Sequence, residues 1–214
     1  MPLLIKLSIC TLIFLSVQCA DPRINVQNGN NAIQVDPCDD PDARISCCFA
    51  NMPSNVTHQM IITESEDDGE ILLISGRVIN NIDSGAMPNI LIYGYHTDKN
   101  GYYTKAGTES GVQKWHGKFH GWCKTNDQGE FEIRTIRPAP YPDNTIPAHI
   151  HLAIQKPHNS KPFYINDIVF SEDPLTNEQY RSSEPYEDGG SGIIDLKKRD
   201  SVWKGERLII LSEQ

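Results

Sequence analysis

The sequence predicts an all-β protein, with a β-sandwich core, long loops and little helix. From residue 69 onward, short runs of β-branched, aromatic or alternating apolar residues recur, as is typical of strands that pack on one face. Segments rich in Gly, Pro, Asn and Asp separate these runs and have the chemistry of turns. No helical periodicity is sustained between residues 69 and 170, so the pattern indicates a sandwich or a barrel.

The elements can be assigned in chain order. The predicted strands are EILLISGRVIN (70–80), NILIYGYH (89–96), GEFEIRTI (129–136), AHIHLAIQ (148–155), FYINDIVF (163–170) and RLIILS (207–212). The turn segments between them include NIDSGAMP, TDKNG, KTNDQG, RPAPYPDN and KPHNSKP. Helix is predicted only near residues 173–183 and within loops, and the sandwich domain is predicted to span residues 69–214.

Residues 1–20 have the features of a secretory signal peptide. Lys6 precedes the apolar run LSICTLIFLSV, and QCAD ends this run with small residues. The run is too short to span a bilayer, so we predict cleavage near Ala20 or Asp21 and a secreted, extracellular protein. A bacterial lipoprotein signal at Cys19 is an alternative, but Gln18 stands where such a signal requires a small residue.

Net charge limits the classes of partner. The 214-residue chain has a formal charge of −9, which becomes −10 when Lys6 leaves with the signal peptide. Because an acidic surface repels nucleic acids and anionic membranes, neither is predicted as a partner. Residues 21–68 are polar, rich in Asn, Asp and Pro, and without helical periodicity. We predict an irregular N-terminal arm there, anchored by disulfides.

Four cysteines remain after the predicted cleavage, namely Cys38, Cys47, Cys48 and Cys123. An even number in an exported chain favours two disulfides. A bridge between adjacent cysteines is strained, so one of Cys47 and Cys48 is predicted to pair with Cys38 and the other with Cys123. A zinc site is the alternative, but CxxC pairs are absent from the sequence. The NVT sequence at Asn55 predicts N-glycosylation.

Two histidines stand two positions apart in the predicted strand AHIHLAIQ. His149 and His151 leave the same face of a strand, with Cα atoms about 7 Å apart, so both imidazoles can reach one ion. Zinc, copper and iron all accept imidazole ligands, and a pair of ordinary core or surface histidines gives the same pattern. The remaining donors therefore decide whether a metal binds, and which one.

A tyrosine precedes this strand in a stiff loop. Tyr141 lies between Pro140 and Pro142, which donate no ladder hydrogen bonds, so its phenol is presented from outside a central strand. A phenol with a pKa near ~10 is a poor ligand for a divalent ion at neutral pH, whereas the higher charge of a ferric ion stabilises the phenolate. Tyr102 and Tyr103 supply a second candidate phenol. Tyrosine combined with histidine indicates Fe(III).

Several stretches of the sequence resemble one known family. NGYYT, HGWCKTNDQGEFEIRTIRPAPYP, IPAHIHLAI and VFSEDPL resemble the intradiol ring-cleavage dioxygenases, the family of protocatechuate 3,4-dioxygenase and catechol 1,2-dioxygenase. The resemblance covers about half of the chain, roughly residues 69–175, and implies a β-sandwich with a non-haem ferric site made by two tyrosines and two histidines. The matching ligand positions are Tyr103, Tyr141, His149 and His151. Tyr103 is preferred to Tyr102 because aligning GYY with the family's GRY places Tyr103 at the ligand.

The resemblance also implies a reaction. A catechol and O2 are the substrates, and the ring is cleaved between its two hydroxyl-bearing carbons to give a muconate-type diacid. By the family's pattern, Tyr141 is the ligand that the catechol displaces, and it then acts as a base. Arg134, in EIRTI, matches a family arginine and is a candidate donor to developing negative charge. An outward-facing strand residue paired with a carboxylate is the alternative interpretation of Arg134.

The sequence departs from the family at two pocket positions. Ile146 stands where members with acidic substrates often carry arginine, and Asp167 stands near a position where the family often has glutamine. A buried carboxylate at position 167 requires a partner or a raised pKa. Tyr102 and Trp122 are further candidate pocket residues, although packing against the sandwich or exposure explains each more simply. These departures bear on the substrate more than on the reaction.

The leading hypothesis is therefore a secreted, Fe(III)-dependent intradiol dioxygenase that resembles the exported eukaryotic branch of the family and takes plant-phenolic catechols. A monomer is predicted, because the sequence lacks the long helical N-terminal segment with which catechol 1,2-dioxygenases dimerise. Two alternatives stay open. One is a sandwich that binds iron or polyphenol without turnover, which Ile146 suggests. The other is a copper or zinc site in which further histidines join His149 and His151.

Overall fold

The computed structural model describes residues 35–63, 67–158, 160–183 and 188–212. Within these ranges the chain consists mainly of strands in two five-stranded sheets, which confirms the predicted all-β sandwich. The predicted signal peptide, residues 1–20, and the first part of the predicted arm lie outside the described residues. In the described part of the chain, no helix has the length and apolarity needed to cross a membrane.

The strands follow one another with long connections. In the order of the chain they are β1 (Gln59–Ile61), β2 (Ile71–Asn80), β3 (Leu91–His96), β4 (His120–Lys124), β5 (Glu130–Ile136), β6 (His149–Gln155), β7 (Phe163–Phe170), β8 (Ile193–Ile194), β9 (Lys197–Arg199) and β10 (Val202–Leu211). The first sheet has the order β1-β5-β2-β10-β9 and the second the order β4-β3-β6-β7-β8. The described helices are short: a 3-10 helix at Ile45–Phe49, α1 at Gln113–His116 and α2 at Glu178–Arg181. Helix α2 lies within the stretch where helix was predicted.

The core lies between the two sheets and follows from alternation along the strands. On β6, for example, Ile150, Leu152 and Ile154 are fully buried in the main apolar cluster. Since successive side chains of a strand point to opposite faces, His149 and His151 must lie on the outer face of the second sheet. That outer face is covered by loops and by a smaller apolar cluster that includes Cys48 and Tyr93. The fold therefore separates a dry inter-sheet core from the face that carries the histidines.

The prediction that residues 21–68 are irregular is wrong for two segments, because this stretch contains the 3-10 helix and strand β1. Strand β1 pairs in parallel with β5 and places Met60, which is 1% exposed, in the core. A Cβ atom on Gly94 would lie 3.2 Å from Met60 Sδ, and one on Gly121 would lie 2.9 Å from its Cγ. Met60 therefore fills space that these two glycines leave between the sheets.

Truncating Met60 should destabilise the fold. We expect Met60→Ala to lower the free energy of unfolding by about 2–5 kcal/mol, because it leaves a cavity between the sheets. Urea denaturation measures this change. Ile61→Ala is the matched control on the same strand, since Ile61 is 67% exposed, and its effect should stay within about 1 kcal/mol. Equal losses for the two variants would contradict the inward placement of Met60.

One predicted disulfide is confirmed and the other is wrong. Cys38 and Cys47 are bridged, with Cα atoms 5.4 Å apart, whereas Cys48 and Cys123 are free and buried. Cys123 belongs to the inter-sheet core, while Cys48 belongs to the cluster on the outer face. The second sheet therefore stands between the two thiols. Burial raises the pKa of the Cys48 thiol to about 11, so this thiol stays protonated and unreactive at neutral pH.

Candidate metal centre

Two phenols and two imidazoles meet on the outer face of the second sheet. The Oη atoms of Tyr103 and Tyr141 are 2.6 Å apart. Nε2 of His151 lies 3.1 Å from Tyr103 Oη and 3.3 Å from Tyr141 Oη. Nε2 of His149 lies 3.1 Å from Nε2 of His151. The structure thus brings together all four residues that the sequence predicted as ligands.

Strand β6 presents both imidazoles from one face. His149 and His151 are its first and third residues, and Ile150 between them is buried in the core, which fixes the side to which the histidines point. The pairing of β6 with β7 is irregular between Ile150 and Leu152. The two rings stand nearly perpendicular, with centroids 4.4 Å apart and an interplanar angle of 78°, so their Nε2 atoms converge from different directions.

Hydrogen bonds on the far side of each ring set the tautomers. His149 Nδ1 lies 2.7 Å from the carbonyl oxygen of Pro147, which can only accept, so Nδ1 carries the proton and Nε2 keeps a free lone pair. His151 Nδ1 lies 3.1 Å from the Asp167 carboxylate, which likewise accepts a proton donor. Both histidines therefore direct a lone pair into the cluster, as metal-binding histidines do when an outer partner orients the ring.

Asp167 is thus an orienting residue. His149, His151 and Asp167 form a group of possible metal-binding side chains among the described residues. However, the carboxylate contacts Nδ1 of His151, on the side of the ring opposite the Nε2 atom that joins the cluster. The prediction that a carboxylate at position 167 requires a partner is met by this contact, and Asp167 borders the cluster through His151.

The two tyrosines come from loops that pack closely against each other. Gly101 has φ +84°, and a Cβ there would lie 2.1 Å from the carbonyl oxygen of Pro140, so only glycine allows this approach. Gly117, with φ +72°, similarly leaves room for the backbone of Tyr103, whose carbonyl carbon would lie 2.9 Å from an added Cβ. Glycine at these two positions lets the Tyr103 loop approach the proline-flanked Tyr141.

Burial favours the neutral form of three of the four donors, Tyr103, Tyr141 and His149. Burial raises the pKa of Tyr103, and the hydrogen bond with Tyr141 raises it further. Burial also raises the pKa of Tyr141. For His149, burial lowers the pKa, and the neighbouring His151 adds to this effect. Two phenols that resist ionisation therefore face two imidazole lone pairs, and only a bound cation would stabilise phenolates here.

The donor set fits a single metal ion. Ligands about 2 Å from a shared ion and at right angles to one another are about 3 Å apart. The contacts within the cluster, 2.6–3.3 Å, match this separation. The intradiol dioxygenases use non-haem iron, and a phenol and imidazole donor set suits a hard, highly charged ion.

Weakening the Asp167 contact should weaken metal binding. We expect Asp167→Ala to lower metal affinity or activity about 10–100-fold, as loss of an outer partner of a ligating histidine typically does, and Asp167→Asn to lose less because its side-chain oxygen still accepts from Nδ1. Competition with a chelator measures the affinity. Asp195→Ala is the control, since this exposed carboxylate accepts from Ser171 in another part of the fold. Unchanged affinity in Asp167→Ala would contradict the orienting role.

Other residues predicted for the site lie elsewhere. The interpretation of Arg134 as a donor in the pocket is wrong, because Arg134 is exposed on the outer face of the first sheet, opposite Leu73 and Ile61. Its neighbour Thr135, which is fully buried, faces the interior instead and contacts His96. The alternative, an outward-facing strand residue, is therefore the better description of Arg134.

The remaining pocket candidates are also separate from the four donors. Trp122 is on β4, where its indole N–H donates to the Cys48 carbonyl and its ring packs on Tyr93. Tyr102 is 59% exposed, so its phenol points away from the cluster that its neighbour joins. Ile146 is 37% exposed in the loop between Tyr141 and β6. Trp122 thus packs against other side chains on the outer face of the second sheet, and Tyr102 is a surface residue.

Three residues that the sequence analysis did not assign to the site support it, namely Tyr95, His116 and Tyr93. The Tyr95 ring stacks on His151, with centroids 4.5 Å apart, and on His116 with centroids 3.6 Å apart. His116 Nδ1 is in turn 2.8 Å from the buried Tyr93 hydroxyl. The signal in the sequence was the spacing of Tyr93 and Tyr95, two positions apart on β3. This spacing places both rings on the face of the second sheet that carries His149 and His151. This stack holds the His151 ring from the side.

Solved structures of dioxygenases share the fold. The dioxygenase domain of a carbohydrate-binding fusion protein from Streptomyces sp. SirexAA-E is 20% identical, covers 76% of this chain and 93% of its own, and gives a TM-score of 0.57. Catechol 1,2-dioxygenase from Acinetobacter sp. ADP1 is 16% identical. The match covers 74% of this chain and 58% of that one, with a TM-score of 0.56. An intradiol ring-cleavage dioxygenase from Tetranychus urticae is 18% identical. The match covers 75% of this chain and 89% of that one, with a TM-score of 0.50. This chain therefore spans less than two thirds of the catechol 1,2-dioxygenase, and the similarity establishes the fold.

The family is established by the sequence. The family model Dioxygenase_C, described as Dioxygenase, matches residues 46–184, which is more than half of the chain. The protein belongs to this dioxygenase family. The resemblance to intradiol ring-cleavage dioxygenases that the motifs indicated is thereby confirmed, whereas the secreted eukaryotic branch stays a prediction.

Proposed function

We propose that the protein is a mononuclear, non-haem, Fe(III)-dependent intradiol dioxygenase that cleaves catecholic rings between the two hydroxyl-bearing carbons with O2. The observation that carries this proposal is the convergence of Tyr103, Tyr141, His149 and His151 within 2.6–3.3 Å contacts. Membership of the dioxygenase family supports the reaction class. The solved catechol and hydroxyquinol 1,2-dioxygenases that share the fold support the substrate class.

When bound, the ferric ion would supply Lewis acidity that favours the doubly deprotonated catechol and makes the ring reactive toward O2. A catechol must lose two protons to bind as a dianion. With a cation bound, Tyr141 would be a phenolate suited to accept one of them, and a hydroxide from solvent would accept the other. Its loop is separate from the β6 ladder, and its ring meets His149 edge-on, with centroids 5.2 Å apart. Tyr103 has an additional close backbone contact, because a Cβ on Gly117 would lie 2.9 Å from the Tyr103 carbonyl carbon. His149 and His151, fixed on a strand, would keep the geometry constant.

Neutral or varied catechols of plant-phenolic type are the proposed substrates. Position 146 holds isoleucine, and Arg134 faces solvent on the other sheet. Neither position therefore supplies an arginine that could bind a substrate carboxylate at the site. The Asp167 carboxylate lies 3.1 Å from Nδ1 of His151, and a carboxylate beside the cluster disfavours an acidic substrate by like-charge repulsion.

Secretion is proposed on three features. The first 20 residues read as a signal peptide. The Cys38–Cys47 disulfide is typical of an oxidising compartment. Asn55 of the NVT sequence is exposed, so an oligosaccharide could be attached there without disturbing the sandwich. An extracellular monomer that meets catechols from outside the cell is the corresponding proposal.

The test is metal analysis combined with a catechol assay. We expect about one iron per chain, visible absorption from tyrosinate bound to ferric iron, and uptake of O2 with formation of a muconate-type diacid from catechol. A protein that holds iron but takes up no O2 with catechols would favour the alternative, a non-catalytic metal- or polyphenol-binding sandwich. A colourless protein with zinc at full occupancy would overturn the ferric centre and the function together.

A further inference from the structure

Asp98, in the loop after β3, organises the segment that carries Tyr103. One carboxylate oxygen, Oδ1, accepts from the backbone N–H groups of Asn100 and Tyr102, at 2.7 and 3.1 Å. The other, Oδ2, accepts from the Thr104 hydroxyl. The backbone of Asp98 adds two contacts to the same loop, because its N–H donates to the Tyr102 carbonyl at 2.8 Å and its carbonyl accepts from Gly101 at 3.2 Å. Tyr103 therefore lies between residues that are each bonded to Asp98.

The same residue also holds the segment that carries Tyr141. The backbone carbonyl oxygen of Asp98 accepts from the Ala139 N–H at 3.0 Å. The Thr97 hydroxyl donates to the Ala139 carbonyl at 2.7 Å. Gly101, inside the loop organised by Asp98, lies directly against the Pro140 carbonyl. The two tyrosine-bearing loops are thus joined at Asp98, which stands five residues before Tyr103 and whose backbone carbonyl contacts Ala139, two residues before Tyr141.

The charge on Asp98 is maintained by these bonds. Partial burial would by itself raise the pKa of this carboxyl, but the donors from Thr104, Tyr102, Asn100 and Gly101 outweigh burial and lower it. An ionised carboxylate accepts several hydrogen bonds at once, and bonds to an ionised acceptor are stronger than neutral ones. Asp98 is therefore suited to hold a loop that has no strand partner at Tyr103.

We propose that Asp98 is a positioning residue that fixes the distance between the phenol oxygens of Tyr103 and Tyr141, and through it the geometry of the metal centre. This inference rests on the proposed function, because it takes both phenols as ligands. Asp98 does not join the cluster of donors itself. It acts on Tyr103 through the backbone of the loop and on Tyr141 through Ala139.

The test compares three variants with the wild-type holoenzyme. Asp98→Ala removes every side-chain bond. Asp98→Asn keeps an oxygen for the two N–H donors, and its amide can donate to the Thr104 hydroxyl. Asp83→Ala is the matched control, since Asp83 organises another loop by accepting from the Gly85 N–H and the Asn80 amide, at 2.8 and 2.7 Å. Asp83 precedes β3 whereas Asp98 follows it, so the control loop lies at the opposite end of that strand.

The readouts are the tyrosinate-to-iron absorption band, iron retained against a chelator, kcat and KM for catechol, and the melting temperature. We expect Asp98→Ala to shift the band, to lose iron faster and to lower kcat about tenfold, with a smaller change in KM. Asp98→Asn should recover most of the band and of kcat. Asp83→Ala should lower the melting temperature comparably while leaving the band and kcat at wild-type values.

Other outcomes are equally informative. A normal band and normal kcat in Asp98→Ala, with only a lower melting temperature, would overturn the positioning role while leaving the proposed function intact. A wild-type protein without the band would overturn the proposed function itself. If Asp98→Ala does not fold, Thr104→Val removes only the hydroxyl bonded to the carboxylate. An unshifted band and unchanged iron retention in that variant would contradict the inference.

Discussion

Replacing His151 with alanine is expected to remove most of the bound iron and to lower kcat/KM for catechol by about 10³-fold or more. His151 Nε2 lies within 3.3 Å of the donor atoms of Tyr103, Tyr141 and His149, so its loss opens the centre of the cluster. A metal contributes several kcal/mol of charge stabilisation, and each ~1.4 kcal/mol corresponds to a tenfold change in rate. Iron per chain, the visible band and O2 uptake measure the loss.

Two comparisons separate ligation from folding in this experiment. His58→Ala is the matched control, because His58 is exposed just before β1 and should leave iron content and rate unchanged. Added imidazole should enter the cavity left in His151→Ala and restore part of the iron binding and colour, which a merely misfolded variant would not show. A His151→Ala protein with full iron, full colour and wild-type activity would contradict the proposed ligand set.

The histidine pair was predictable because strand alternation is local. Ile150, Leu152 and Ile154 mark the inward face of β6, and the residues between them must face outward. The predicted strand, residues 148–155, differs from β6 by one residue at its start. Which other donors would join the pair was not predictable from periodicity, because Tyr103 and Tyr141 reach it from loops whose paths depend on distant contacts. Resemblance to the family supplied that information.

Errors at Arg134 and Cys123 have the same physical origin. Each residue is close in sequence to residues of interest, but a shift of one position along a strand moves a side chain to the opposite face. Arg134 therefore faces solvent on the first sheet, and Cys123 points into the core while its neighbour Trp122 contacts the Cys48 carbonyl. A motif match identifies which residue corresponds to a family position. The face of the sheet to which its side chain points depends on the register of the whole strand.

The N-terminal segment illustrates a different limit. Strand β1 has three residues, QMI, and its partner β5 lies about 70 positions later in the chain. No local pattern distinguishes so short a strand from a loop, since its stability comes from the neighbouring sheet and from burial of Met60.

The hydrogen bonds of Asp98 were likewise not found from the sequence. The segment TDKNG indicates only a turn, and the contact of Asp98 with Ala139 is visible only in the fold.

Replacing Tyr141 with phenylalanine is expected to lower kcat for catechol by about 10²-fold or more while leaving much of the iron bound. The phenyl ring preserves the edge-on contact with His149, at 5.2 Å between centroids, so the loop and the fold should be retained. What is lost is the oxygen 2.6 Å from Tyr103 Oη and, with it, the proposed acceptor of a substrate proton. Loss of a positioned general base typically costs about 10²–10⁴-fold. KM should change less than kcat, because His149, His151 and Tyr103 would still hold the ion that binds the catechol oxygens.

Tyr102→Phe is the matched control for this experiment, since the Tyr102 phenol is 59% exposed and is separate from the four donors. Its rate and its spectrum should equal those of the wild type. Tyr103→Phe provides the second comparison. Both ligand variants should lose part of the tyrosinate absorption, but Tyr103→Phe should lose more iron, because Tyr141 is the phenol proposed to leave the ion when catechol binds, whereas Tyr103 stays bound. A Tyr141→Phe protein that keeps wild-type kcat would exclude this phenol as the proton acceptor, even if it proved to be a ligand.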